Sequence, residues 1–232
     1  MNSKSILKMI SGVLALSVLI SMFVEVPYYS HAFCRFIVLC CIAVCNFISA
    51  RRGEAYLKNN SILWKQFHGL DVYLTEHKVL QMHNVLLVKD RKEQFIVVER
   101  QVQEQLTQAE LQAVLLHEEG HMHTISSGVV SGTNYVAAFI LGEGMHSMLY
   151  HEPKYIFVMS GICLVVLLEL LKRYIENQAD YFAVSNGANI TELISAINKI
   201  DNMNCIDTKI IVSGHPKLKS REKYLRRKMQ VQ

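Results

Sequence analysis

The sequence predicts a mainly α integral membrane protein, with about four transmembrane helices joined to a cytoplasmic α+β part that holds a small β-hairpin sheet. Three observations carry this reading. The 232 residues are 51% hydrophobic, more than a soluble domain uses, and the excess is gathered in blocks. Basic pairs, Arg51-Arg52 and Lys172-Arg173, close two of those blocks, as the positive-inside rule expects of cytoplasmic ends. The stretches between blocks are polar and carry hairpin and helix-capping signals.

Residues 1–52 form an N-terminal transmembrane hairpin in this reading. Its first span is 9–26, preceded by Lys4 and Lys8. A cleaved signal peptide is the alternative, but no A-x-A-like site follows and a second apolar segment comes at once. That second span is 32–50. The short link between them, Pro27-Tyr28-Tyr29, places aromatic residues at an interface.

Residues 53–126 read as a cytoplasmic part. Ala55–His68 is expected to be an amphipathic helix. Three short runs of β-formers follow: Val72–Leu74, Val85–Val88 and Phe95–Val98. The last two flank Lys89–Gln94 and read as a hairpin. The bland account of this hairpin is structural; the functional one is an edge strand that holds an extended peptide by strand addition. Thr107-Gln108-Ala109-Glu110 is a capping box, so a helix starts at Thr107, with Leu111, Val114 and Leu115 as its apolar stripe.

Residues 127–171 form the second membrane hairpin. In 127–150 the apolar run Val136–Leu141 is interrupted by Asn134, Glu143 and His146, which leaves a tilted span and a re-entrant segment both open. Residues 155–171 are a firmer span, somewhat short of the ~20 residues a bilayer needs but extendable. Residues 172–232 return to the cytoplasm: a continuation of that helix, a C-cap at Gly187, an amphipathic helix over Ile190–Ile200, a loop at Ser213–Pro216, and a basic helix over Lys217–Met229.

Charge excludes little. Twenty-four Lys and Arg against 20 Asp and Glu give a net charge of +4, and no motif or basic groove pattern points to nucleic acid. The six cysteines make no C-x-x-C pair, so a cysteine-ligated metal is not expected.

The chemistry sits in His117-Glu118-Glu119-Gly120-His121. On a helix, residues four apart share a face, so two imidazoles can bind one Zn²⁺ with Glu118 beside them as a base. The polar flank from Gln101 to Gln112 keeps this pentad outside the bilayer. A catalytic zinc takes three protein ligands, and Glu176 is the best candidate for the third. Glu176 and Asp180 lie four apart on one helix face; a solvated pair of carboxylates is the competing account. His68, His77, His83, His123, His146 and His151 lack partner spacing, and Glu119 is expected to be solvated.

The stretch from Leu106 through Glu110–His121, then Glu176–Asp180, then His215-Pro216 followed by Arg221, resembles the HtpX-like zinc metallopeptidases. That gluzincin family also contains the CAAX prenyl endopeptidases. Its pattern of H-E-x-x-H, E-x-x-x-D and H-P-x-x-x-x-R occurs here in order, and the resemblance runs from residue 5 to about 228. It implies a zincin-like catalytic domain with one Zn²⁺ per chain, held by His117, His121 and Glu176, and Glu118 as general base. Asp180 would hydrogen-bond a ligating histidine and fix its tautomer. His215 and Arg221 match the C-terminal motif, His215 with a catalytic role and Arg221 in support behind the ligands. It further implies a multi-pass protein of the bacterial inner membrane, active at the cytoplasmic face on protein or peptide substrates.

The sequence departs from that pattern in places. The asparagine-containing strand motif before the site helix is reduced to Asn84, and the glycine-rich cytoplasmic segments are shorter. The antirepressor peptidases of β-lactam sensing share a similar pentad, so a dedicated signalling peptidase stays open. So does a non-proteolytic zinc-holding membrane scaffold, although structural zinc sites use four protein ligands and no base.

Overall fold

The fold is taken from a computed structural model that describes residues 40, 41, 44, 48, 56–76, 84–89, 93–124, 140, 155–204 and 217–230. The expected span 9–26 and the loop carrying His215 lie outside the described residues. Of 32–50, Cys40, Cys41, Val44 and Ile48 are described and helical; of 127–150, Ile140 is. The chain divides into two units, one of Met1–Gly53 with Ser126–Leu170, the other of Glu54–Ile125 with Leu171–Gln232.

The second unit is a mixed α/β domain built on a four-stranded sheet in the order β1-β2-β4-β3. The strands are β1 (Ser61–Phe67), β2 (Leu70–Thr75), β3 (Val85–Lys89) and β4 (Gln94–Glu99). β1 and β2 are antiparallel, closed by a two-residue turn that leaves Phe67 opposite Leu70. Both turn residues are left-handed, His68 at φ 48° and Gly69 at φ 83°, as a tight hairpin with the native twist requires. β2 and β4 are parallel, and β3 and β4 form the antiparallel hairpin that the sequence announces, with Lys89 opposite Gln94.

The expected helix over Ala55–His68 is corrected. Residues 56–59 make one helical turn, and the Asn60 and Ser61 side chains cap it by donating to the Tyr56 and Leu57 carbonyls. From Ser61 the chain is strand. The left-handed His68-Gly69 pair folds Phe67 back on Leu70, and the ladder with β2 then satisfies the backbone that a helix would have satisfied alone.

β4 is the central strand for packing. Phe95 and Val97 face Leu57, Val88 and Tyr73. Ile96 and Val98 face Leu70, Val72 and Val85 together with helix residues Val102, Leu111, Val114 and Leu115. A strand covered on both faces reads as an unbroken apolar run, which is why Phe95-Ile96-Val97-Val98 lacks alternation.

Two helices follow β4: α1 (Arg100–Gln105) and α2 (Gln108–Gly120). Thr107 caps α2, its hydroxyl accepting from the Glu110 N–H at 3.2 Å while its own N–H donates to the Glu110 carboxylate at 2.8 Å. One face of α2 packs on the sheet. Ala113 and Leu116, on its other side, meet Ala183, Val184, Leu193 and Leu225. These come from α3 (Tyr155–Ser185), α4 (Ile190–Met203) and α5 (Leu218–Met229), so α2 is enclosed on both sides.

α3 ends where expected. Gly187, at φ 103°, donates to the Val184 carbonyl at 3.2 Å and Ala188 donates to Ala183 at 3.0 Å, a Schellman closure. Among the described residues no helix is long and apolar enough to cross a membrane.

Glu110 does more than cap. It is buried, and it accepts from Ser195 at 2.6 Å and from Lys199 at 2.7 Å, tying α2 to α4. Burial alone would raise its carboxyl, but the bonds from Lys199, Ser195 and Thr107 outweigh that and bring it from the ordinary 4.5 to about 2. A depressed carboxyl stabilises the fold above its unfolded pKa and loses that contribution as pH falls through its folded one. Glu110→Gln is therefore expected to unfold about 1–3 kcal/mol more easily near neutral pH. Thermal unfolding followed against pH should show a constant gap above pH 4.5 that closes toward pH 2.

Candidate metal centre

The end of α2 and the C-terminal third of α3 are brought together by a residue with no side chain. A Cβ on Gly120 would stand 2.9 Å from both Cα and O of Ala179 and 3.2 Å from Cβ of Phe182. Glycine costs a helix about 1 kcal/mol relative to alanine. Here it lets the two backbones nearly touch, and the pentad then faces the Glu176–Asp180 turn.

Across that contact His117, His121 and Glu176 converge, each offering one donor atom, all within 4.8 Å of one another. The two Nε2 atoms lie 3.2 Å apart. The Glu176 carboxylate reaches each of them at 3.7 Å. Three donors about 2.0–2.1 Å from one tetrahedral zinc would be separated by roughly 3.3–3.4 Å. The observed triangle is close to that, and its chemistry, two imidazoles and one carboxylate, is that of a zinc site with a position to spare.

The environments of the two histidines differ. His117 is buried, and Oδ1 of Asp180 lies 2.9 Å from its Nδ1. Burial works against its protonation, but the hydrogen bond and charge of Asp180 prevail and raise its pKa. Among the described residues no carboxylate stands at hydrogen-bond distance from His121; Glu176 is 3.7 Å away. Burial, reinforced by the neighbouring His117, lowers it to about 4, so it stays neutral with a lone pair to offer.

Asp180 is fully buried, which would raise its carboxyl, yet Arg221 holds it below the ordinary range. The guanidinium of Arg221, projecting from α5, grips both carboxylate oxygens, Nε to Oδ2 at 2.6 Å and Nη2 to Oδ1 at 2.5 Å. It also lies 3.6 Å from Glu176. Asp180 in turn keeps the buried Arg221 charged, raising its pKa against the pull of burial.

The sheet contributes as well. Glu118 Oε2 accepts the backbone N–H of Leu87 on β3 at 2.8 Å. Lys89, two residues along the same strand, donates to the His121 carbonyl at 2.6 Å. Glu119, expected to be solvated, instead meets His68 from the β1–β2 turn at 2.8 Å. His123 stacks on Phe182 with centroids 4.8 Å apart and is outside the donor group. Asn84 opens β3, its carbonyl accepting from the Glu99 N–H.

The structure thus assembles five of the sequence candidates (His117, His121, Glu176, Asp180 and Arg221) with Glu118 alongside, while His215 lies outside the described residues. Leu87, Lys89 and Gly120 were missed. Gly120 carried a signal, a helix-weakening residue inside an otherwise helical run. Leu87 acts through its backbone, and Lys89 through a fold contact, so neither left one.

The profile of peptidase family M48 matches residues 89–229, well over half of the chain. The chain belongs to peptidase family M48. The His-His-Glu group supplies a donor set that suits a zinc ion. The crystal structure of S. mikatae Ste24p is similar in fold, with a TM-score of 0.50 at 16% identity. The match covers 97% of this chain and 66% of that one, so the chain spans just under two thirds of that protein's length. Comparison with curated proteins finds no match.

If close approach at Gly120 is what assembles the M48 site, Gly120→Ala must push α2 from α3. Forcing a methyl into such a contact costs about 1–3 kcal/mol. The expected outcome is a lowered unfolding temperature together with reduced zinc stoichiometry by elemental analysis. A variant that unfolds normally with full zinc would show that the contact is dispensable.

Proposed function

We propose that this M48 peptidase is membrane-bound and cleaves membrane or membrane-associated protein substrates at the cytoplasmic face, with His117, His121 and Glu176 as its zinc ligands. The convergence of those three donors beside Glu118 is the observation that carries the reading. Zinc bound there supplies a Lewis acid that polarises the scissile carbonyl and lowers the pKa of water.

Glu118 is the general base. It takes the proton from the attacking water and passes it to the leaving amine. The Leu87 N–H orients its carboxylate, so the base is positioned by the sheet and the ligands by the helices. Asp180 fixes His117 with Nε2 toward the metal position. Arg221 balances the Asp180 charge and steadies Glu176. His215, from the matching His-Pro motif, is assigned to steadying the oxyanion. β3 is an edge strand of the sheet, suited to receive an extended substrate by strand addition.

The membrane reading rests on the apolar blocks and their basic ends. It is supported by α3, where Met159, Ile162, Val165, Val166, Leu167 and Leu170 are all exposed to a degree that water disfavours, directly before Lys172-Arg173. In this arrangement 1–52 and 127–171 are the membrane hairpins, and 53–126 with 172–232 form the catalytic domain.

Glu118→Gln should retain zinc yet lose about 10²–10⁴-fold in chelator-sensitive proteolysis, read with a quenched casein substrate. Glu176→Ala should lose the zinc itself. Full proteolysis by the Gln variant, or stoichiometric zinc in the Ala variant, would remove the corresponding role.

A further inference from the structure

The β1 edge of the sheet breaks the usual rule for a strand at the surface. Successive side chains on a strand point to opposite faces, so one in two should be polar or covered. Here Ile62, Leu63 and Trp64 are 69%, 54% and 37% exposed in succession, and Tyr56 just before them is 45% exposed. A register shift lies between Leu63 and Lys65, where Leu63 pairs with Tyr73 and Lys65 with Val72, leaving Trp64 unpaired. Lys65 folds back so that its ammonium sits 4.4 Å from the centre of the Trp64 ring. Among the described residues no strand lies beside the outer edge of β1.

We propose that this bulged edge is a lipid-contacting surface, in which Ile62, Leu63 and Trp64 dip into the headgroup region of a bilayer with Lys65 at the level of the phosphates. The inference rests on the membrane-bound reading above and adds to it a second, peripheral contact made by the catalytic domain.

Three observations favour lipid over a protein occupant. A strand added to β1, from a peptide or a second copy, needs a regular ladder, and a bulge with an adjacent lysine is the device that blocks such pairing. The residue mixture, an indole and a phenol with aliphatic side chains and a lysine, is the one enriched where apolar and polar phases meet. Lys65 over the indole suits that boundary, since its stem covers apolar surface while the ammonium stays available to anionic phosphates. Chain length is the third. The apolar run 32–50 ends at Arg51-Arg52, and the 12 residues from there to Ile62 span at most about 40 Å even when fully extended.

Trp64 is the single tryptophan of the chain, so its fluorescence reports this surface alone. The full chain, reconstituted in vesicles of phosphatidylcholine and phosphatidylglycerol, would be compared with the same vesicles carrying lipid brominated near the headgroup. Bromolipid is expected to lower Trp64 emission about twofold, with little effect of aqueous iodide. Ile62→Ser with Leu63→Ser, at exposed positions and with zinc content as the check on folding, should reverse that pattern. Quenching by iodide and not by bromolipid would overturn the inference in favour of a water-facing edge. Protection from both would overturn it in favour of a protein cover, either a partner or a second copy. Alkaline extraction of the same vesicles separates the two readings: a chain that resists extraction but escapes bromolipid keeps the spans and refutes the β1 contact. A chain that is extracted after showing bromolipid quenching keeps the β1 contact and refutes the spans.

Discussion

The buried carboxylate of Asp180 is the point on which the site depends. A charge enclosed in protein is tolerated when it is paired and hydrogen-bonded. Asp180, with no exposed surface, meets Arg221 through two bonds and His117 through one contact. Those partners come from α5 and α2, while Asp180 itself stands on α3. One residue thus joins three helices that are far apart in sequence, and removing Arg221 would leave the buried carboxylate without a compensating charge. Such a network adds little net stability against an apolar core. What it supplies is registration: His117 has one tautomer and one orientation that satisfy Asp180.

Registration also needs the backbones to approach, and there the constraint is steric. The contact of Gly120 with Ala179 sets α2 against α3 at a distance that no other residue at position 120 allows. The remaining faces of α2 are packed by the sheet on one side and by Ala183, Val184, Leu193 and Leu225 on the other. Glu110 ties its first turn to α4 through Lys199 and Ser195. A helix held at its start by a charged cap, along its sides by apolar packing and at its end by Lys89 on the His121 carbonyl has little freedom left. That rigidity is what a metal site built from an i, i+4 pair requires.

Much of this was legible in the sequence, for reasons that differ by element. The pentad, the capping box and Gly187 are local signals whose chemistry is complete within a few residues, and α2 and the end of α3 follow them. The β3–β4 hairpin is likewise local. β1 was not legible because Leu57, Ile62, Leu63, Trp64 and Phe67 are apolar at spacings that a helix face would also accept. What decides against the helix is the left-handed His68-Gly69 turn together with the pairing to β2. The parallel pairing of β2 with β4 joins segments separated by β3 and carries no local mark. Arg221 could be named only through the family motif, since nothing near it in the chain announces a buried partner on α3. The contacts of Leu87 and Lys89 arise from tertiary placement alone.

The electrostatic arrangement of the donors follows from the same network. Arg221 and Asp180 cancel, so the pair leaves no net charge beside the metal position. His121, lowered by burial and by its neighbour, is neutral across the physiological range. Glu176 is the one carboxylate among the three donors. In the proposed site, where both imidazoles would be neutral once they hold the metal, two nitrogens and one carboxylate would leave a bound divalent ion with residual positive charge, which is what a Lewis acid needs to polarise a carbonyl. Had Asp180 stood without Arg221, its charge would have been felt at the metal through His117 and weakened that polarisation. In the proposed site the arginine on α5 would serve the chemistry by offsetting the carboxylate that orients His117.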